Sequence, residues 1–136
     1  MIEFALCLTF LITLFIGGWA YGYGFYIYGE LENAVRNGAR YASKLPYDSA
    51  TSTPSTSFLT KVRQMTVYGD PSVSSGTPVA PNLTTSQVTL TVTMTSGAPT
   101  AMTVAISGYS LPGYFNVTLN NKPYVWFPYL GYWSPP

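Results

Sequence analysis

Histidine is absent from this 136-residue chain, and cysteine occurs once, at Cys7. A Ser-His-Asp relay therefore cannot be assembled, and an internal disulfide or a Cys/His metal site lacks its partners. Charge is scarce as well. Asp, Glu, Lys and Arg make up 8 % of the residues, against ~25 % in ordinary soluble domains. A net charge of +1 gives no basic surface for phosphates, which argues against a nucleic-acid partner. The acids are Glu3, Glu30, Glu32, Asp48 and Asp70, so the strand-rich part beyond Asp70 has no carboxylate pair for glycoside hydrolysis. Phosphate-cradling glycine loops are missing too. The chain reads as a non-enzyme with no metal and no cofactor.

Two local absences shape the amino-terminal third. No charged side chain lies between Glu3 and Glu30, and no proline lies between Ile2 and Lys44. The uncharged run exceeds the ~20 apolar residues needed to span a bilayer. No Lys or Arg precedes it, so the basic start of a secretory signal is missing. Taken literally, the positive-inside rule places Arg36, Arg40 and Lys44 in the cytoplasm. Removal of a basic leader reverses that orientation, and this is the preferred reading.

The helical pattern continues past the apolar run. Tyr28, Leu31, Val35, Ala39 and Ala42 recur at three- and four-residue steps, while Glu32, Arg36, Arg40 and Lys44 form a polar stripe. Glu32 and Arg36 are a favourable i, i+4 pair, and cations suit a helix C-terminus. Pro46 marks the stop. At ~1.5 Å per residue this helix is about 60–65 Å long, twice the hydrocarbon thickness, so half of it must pack on protein. Gly17, Gly18, Gly22, Gly24 and Gly29 weaken it, which reads as close helix–helix approach or as a segment that can stretch. Trp19, Tyr21, Tyr23, Phe25, Tyr26 and Tyr28 outnumber the needs of a membrane-interface belt and favour packing between helices.

Beyond Leu45 the chain predicts a small head. Residues 46–57 form a hydroxyl-rich loop, either a solvated connection or an O-glycosylation site. Phe58, Val62 and Met65 predict a short amphipathic helix capped by Ser57 and ended by Gly69. A second loop covers residues 70–86. Val88, Leu90, Val92 and Met94 alternate with threonines, as in a strand with one buried face. Gly97-Ala98-Pro99 predicts a turn, with Met102, Val104 and Ile106 on the returning strand. Phe115, Val117 and Leu119 predict a third strand, Asn120-Asn121 a turn, and Tyr124 to Phe127 a fourth. The expected fold is α+β: a long stalk helix over residues 1–45, then a head over 46–136 with a short helix and an antiparallel sheet. Asn82-Leu83-Thr84 and Asn116-Val117-Thr118 match the N-glycosylation pattern. Tyr124, Trp126, Tyr132 and Trp133 are candidate interface aromatics, with carbohydrate contact as the alternative.

Glu3 stands out because an acid within an apolar run needs a cation. The amino terminus at Met1 of a second copy would satisfy it and set the stagger between copies. Ile2-Glu3-Phe4-Ala5, together with Leu31-Glu32-Asn33-Ala34-Val35-Arg36-Asn37-Gly38-Ala39-Arg40-Tyr41-Ala42, resembles the start of the TadE-like family of tight-adherence pilus proteins. The resemblance implies a type IV pilin-like chain cut by a prepilin peptidase. It further implies residence in the inner or cytoplasmic membrane, then an assembly platform, then an extracellular filament of copies of itself. Met1, Glu3, Phe4, Glu32, Arg36 and Arg40 are the expected assembly residues. Gly17, Gly18, Trp19, Tyr23 and Tyr26 are the expected helix-packing residues. Low charge and abundant hydroxyls lean towards a main structural subunit with the head on the surface for adhesion. The alternatives are a minor pseudopilin that primes or caps the pilus, and a membrane-anchored glycan-binding module.

Overall fold

The computed structural model describes residues 2–111 and 117–133. Helix α1 runs unbroken over Ile2–Lys44, as the absence of proline allows. Its two halves have different surroundings. Ile27, Leu31, Ala34, Val35, Gly38, Ala39 and Ala42 are buried at three- and four-residue steps against the head. Tyr28, expected on that face, is half-buried, and Ile27 takes the inward position. The most apolar 18-residue window of α1 is 0 % buried. From Ile2 to Tyr26 the helix covers roughly 37 Å, enough for a ~30 Å hydrocarbon layer.

Helix α2 (Thr56–Tyr68) lies beside the C-terminal half of α1. Its cap is Ser55, two residues before the expected Ser57. The Ser55 hydroxyl accepts the Phe58 N–H at 3.1 Å and itself donates to the Asp48 carboxylate, which fixes it in place. Gly69, at φ 73°, closes the other end by donating its N–H to the Met65 carbonyl at 3.0 Å. Phe58 and Val62 are buried as their spacing requires, but the third inward residue is Thr66, with Met65 half-buried. The reason lies across the interface. Gly38 of α1 has no side chain there, and a Cβ added to it would fall on Thr66 Oγ1. The Thr66 hydroxyl is satisfied locally by the Val62 carbonyl at 2.8 Å.

A one-turn 3₁₀ helix (Thr85–Gln87) leads into β1 (Val88–Thr95), which pairs antiparallel with β2 (Ala98–Ile106). The turn between them is Ser96-Gly97, with φ of 54° and 84°, and not Gly97-Ala98-Pro99. Two successive positive φ angles make a type I′ turn, whose twist matches the strands. Ala98 already pairs with Thr95, and Pro99 faces Met94 across a register shift. β5 (Tyr124–Pro128) joins the other edge of β2, giving the order β1-β2-β5. The expected third strand does not enter this sheet. Leu119 pairs with Tyr109 in a separate two-stranded ladder of β3 (Tyr109–Ser110) and β4 (Thr118–Leu119), and Phe115 falls outside the described residues.

Val88, Val92, Met102, Val104 and Ile106 carry the inner face of the sheet onto the two helices. The outer face presents Thr89, Thr91, Thr93 and Thr103 beside Tyr124 and Trp126. After β5 the chain returns to the end of α1 and fastens it. Leu130 N–H donates to the Ser43 carbonyl at 2.8 Å, one of the helix-end carbonyls without an intrahelical partner. Tyr129 Oη accepts the Tyr47 N–H at 2.9 Å and stands 3.1 Å from the Leu45 carbonyl and 3.0 Å from that of Tyr132. The Tyr47 ring packs edge-on against Phe58 and Tyr129. Burial pushes the Tyr47 and Tyr129 phenols above the ordinary tyrosine range.

Candidate functional site

The free half of α1 is an extended apolar surface left uncovered by the described residues. Ile2, Phe4, Leu6, Phe10, Leu11 and Phe15 are all largely exposed along it. The aliphatic polar side chains of this stretch bond within the helix. Thr9 Oγ1 donates to the Ala5 carbonyl at 2.8 Å, and Thr13 Oγ1 to the Thr9 carbonyl at 2.9 Å. Glu3 is the exception. It sits in the first turn, where the helix dipole favours an anion, and forms no ion pair among the described residues. Met1 lies outside those residues.

Higher on the stalk, Gly18 and Gly22 leave a notch between larger side chains. Leu14, Phe15, Trp19, Tyr23 and Tyr26 line the resulting groove of roughly 620 Å³. A Cβ at Gly17, Gly18, Gly22, Gly24 or Gly29 would meet nothing within 4 Å. Within one chain these glycines are therefore not sites of close approach. Trp19 is 72 % exposed, and Phe25 and Tyr26 are exposed beside it. Tyr23 is partly covered near Tyr109, whose own hydroxyl donates to the Pro81 carbonyl at 2.7 Å. Burial, then the nearby Tyr23, raises the Tyr109 phenol above its ordinary range. These aromatics sit just below the head, at the end of the exposed apolar run.

On the C-terminal half of α1, Arg36 and Glu32 pair at 2.7 Å, as their spacing predicts. Both are well exposed, so the pair contributes only ~0.2–0.5 kcal/mol. Arg40 and Lys44 are exposed on the same side and form no ion pair among the described residues. The candidate aromatics of the tail divide. Tyr124 and Trp126 project together from the outer face of β5, and Tyr132 is exposed beyond it. Trp133 instead packs on the core, forms a parallel bridge with Tyr47 and donates its indole N–H to the Ser49 carbonyl at 3.3 Å.

Three residues that shape this surface carry no strong local signal. Gly38 is the glycine that permits close helix approach within the chain, yet it stands among polar residues. Tyr129 is one aromatic among many in its segment. Glu30 reads as the end of the uncharged run, but it lines a groove where the stalk enters the head.

The geometry defines a stalk-and-head protein whose apolar helix is long enough to cross a membrane and is left uncovered by its own head. The family described as TadE-like protein matches residues 1–40, the exposed half of α1 and most of its buried half. The resemblance to that family read from the sequence is thus found over this segment. No curated protein and no solved structure matches the chain.

Proposed function

We propose that the chain is a structural subunit of a type IV pilus-like filament. It is held in the membrane by residues 2–26 and then assembled through the same residues into a helical core. The observation that carries this reading is the division of α1. One half is buried in the head, and the other exposes a continuous apolar surface that needs either lipid or further copies to cover it. Stalk glycines with open space around them suit close approach between copies. In the membrane the aromatic girdle lies at the interface, and in the filament it packs between helices. Glu3 guides register by pairing with the amino terminus of a neighbour. The prepilin peptidase and assembly platform act before this step.

The heads form the filament surface. Their exposed sheet face is free of charge and rich in hydroxyls, which suits dense tiling and adhesion. The test is to shear surface filaments from cells and sequence their subunits. Finding this chain only in membrane fractions rejects the filament reading, and finding a few copies per filament makes it a minor subunit. Glu3→Ala is expected to abolish filaments while leaving head unfolding unchanged, and normal piliation in that variant rejects the register role.

A further inference from the structure

Glu30 is half-buried on the rim of a groove of roughly 580 Å³ lined by Tyr23, Tyr26, Pro78, Val79 and Pro81. Among the described residues it has no cationic partner. A carboxylate beside two phenol rings suits a cation, attracted both to the charge and to the ring faces. A guanidinium suits it better than an ammonium, because its planar fork can stack on a ring and bind the carboxylate through two N–H groups. Arg40 is exposed, unpaired among the described residues, and on the open side of the same helix.

The two groups cannot meet within one chain. Ten residues of unbroken helix hold them roughly 15 Å apart along the axis. They meet only between copies displaced along that axis. We propose that Glu30 and its tyrosine-lined groove receive Arg40 of a second copy of this chain, shifted by roughly 15 Å. The inference rests on the filament reading above. At 3.6 residues per turn, Glu30 and Arg40 point about 80° apart around the helix, so each copy contributes two different surfaces. Such a contact does not close on itself after one pairing and can propagate. Lys44 would need a shift of roughly 21 Å and offers no planar group to the rings.

The test is a charge swap in cells that display the filament. Glu30→Arg and Arg40→Glu are each expected to lower the yield of sheared filaments by about tenfold or more, as like charges meet across the contact. The double variant is expected to recover most of the yield. Head unfolding in detergent is measured for each variant, and Glu30→Gln replaces any reversal that unfolds the head, with a smaller expected loss. Wild-type yield in either folded single reversal overturns the pairing, as does a double variant no better than its parents. Recovery of Glu30→Arg by Lys44→Glu, and not by Arg40→Glu, overturns the choice of Arg40 and the shift. Absence of the wild-type chain from the filaments is a different result, because it removes the filament reading itself.

Discussion

Replacing Gly38 by alanine probes the closest approach between the two helices of the head. Two effects oppose each other. In a helix interior, alanine is favoured over glycine by ~0.5–1 kcal/mol. Against this, the new Cβ falls on Thr66 Oγ1 and lies 3.1 Å from Thr66 Cβ, so α1 and α2 must separate or Thr66 must rotate out of its bond to Val62. Overpacking of this kind costs about 1–3 kcal/mol. The net expectation is a loss of roughly 0.5–2 kcal/mol, or a fall in Tm of about 2–10 °C for a domain of this size. Thr66→Ala alone is expected to lose about 1 kcal/mol from the void it leaves. In the double variant that void accepts the new methyl, and only the 3.1 Å Cβ contact has to relax by a few tenths of an ångström. It should therefore be more stable than the sum of the single effects predicts, by about 1–2 kcal/mol. Urea unfolding of the detergent-solubilised chain, followed by tryptophan fluorescence, measures all three variants. Additivity to within ~0.5 kcal/mol would refute the steric argument.

Tyr129→Phe removes the hydroxyl shared by Tyr47, Leu45 and Tyr132 and is expected to lower head stability by about 1–3 kcal/mol in the same unfolding assay. Trp126→Ala, on the exposed sheet face, should stay within ~0.5 kcal/mol of wild type, whereas Trp133→Ala should lose roughly 1–3 kcal/mol because its ring fastens residues 47–49. Burial raises the Tyr47, Tyr109 and Tyr129 phenols, so folding favours their neutral forms. This contribution is complete below the ordinary value of 10.0 and is lost as pH rises through the higher folded values, because the unfolded chain ionises first. Tyrosinate absorbance should therefore rise in step with loss of the head fold, and complete ionisation of a folded head contradicts the assignment.

The periodic parts of this molecule were readable before its coordinates. Three- and four-residue spacing marked α1, strict alternation marked β1 and β2, and the helical length required that half of α1 pack on protein. Misreadings arose where a distant contact overrides a local cue. Ser96 adopts a left-handed φ that its residue type does not advertise, whereas the neighbouring glycine and proline advertise a turn one residue further on. Thr66 turns inward only because Gly38, far away in sequence, leaves room. The hub at Tyr129 joins residues 82 and 84 positions apart, and no spacing rule identifies it among its aromatic neighbours. Of the exposed stalk, the apolar stripe was legible. The pocket around Glu30 was not, because it exists only once the loop carrying Pro78 and Pro81 folds against the helix.

One consequence follows from the continuity of α1 through the junction. The head has no hinge to the stalk, since the helix that anchors it also supplies part of its core. Four of the glycines that weaken α1, Gly17, Gly18, Gly22 and Gly24, lie below Ile27, where the head begins to grip, and Gly29 lies just above it. Above that level the side chains of β2, α2 and β5 clamp the rod. Bending is therefore expected mainly beneath the head, while any rotation of the rod at Ile27 turns the head with it, because the two share one core. In a filament, small rotations of the core would appear on the outside as movement of the whole surface lattice.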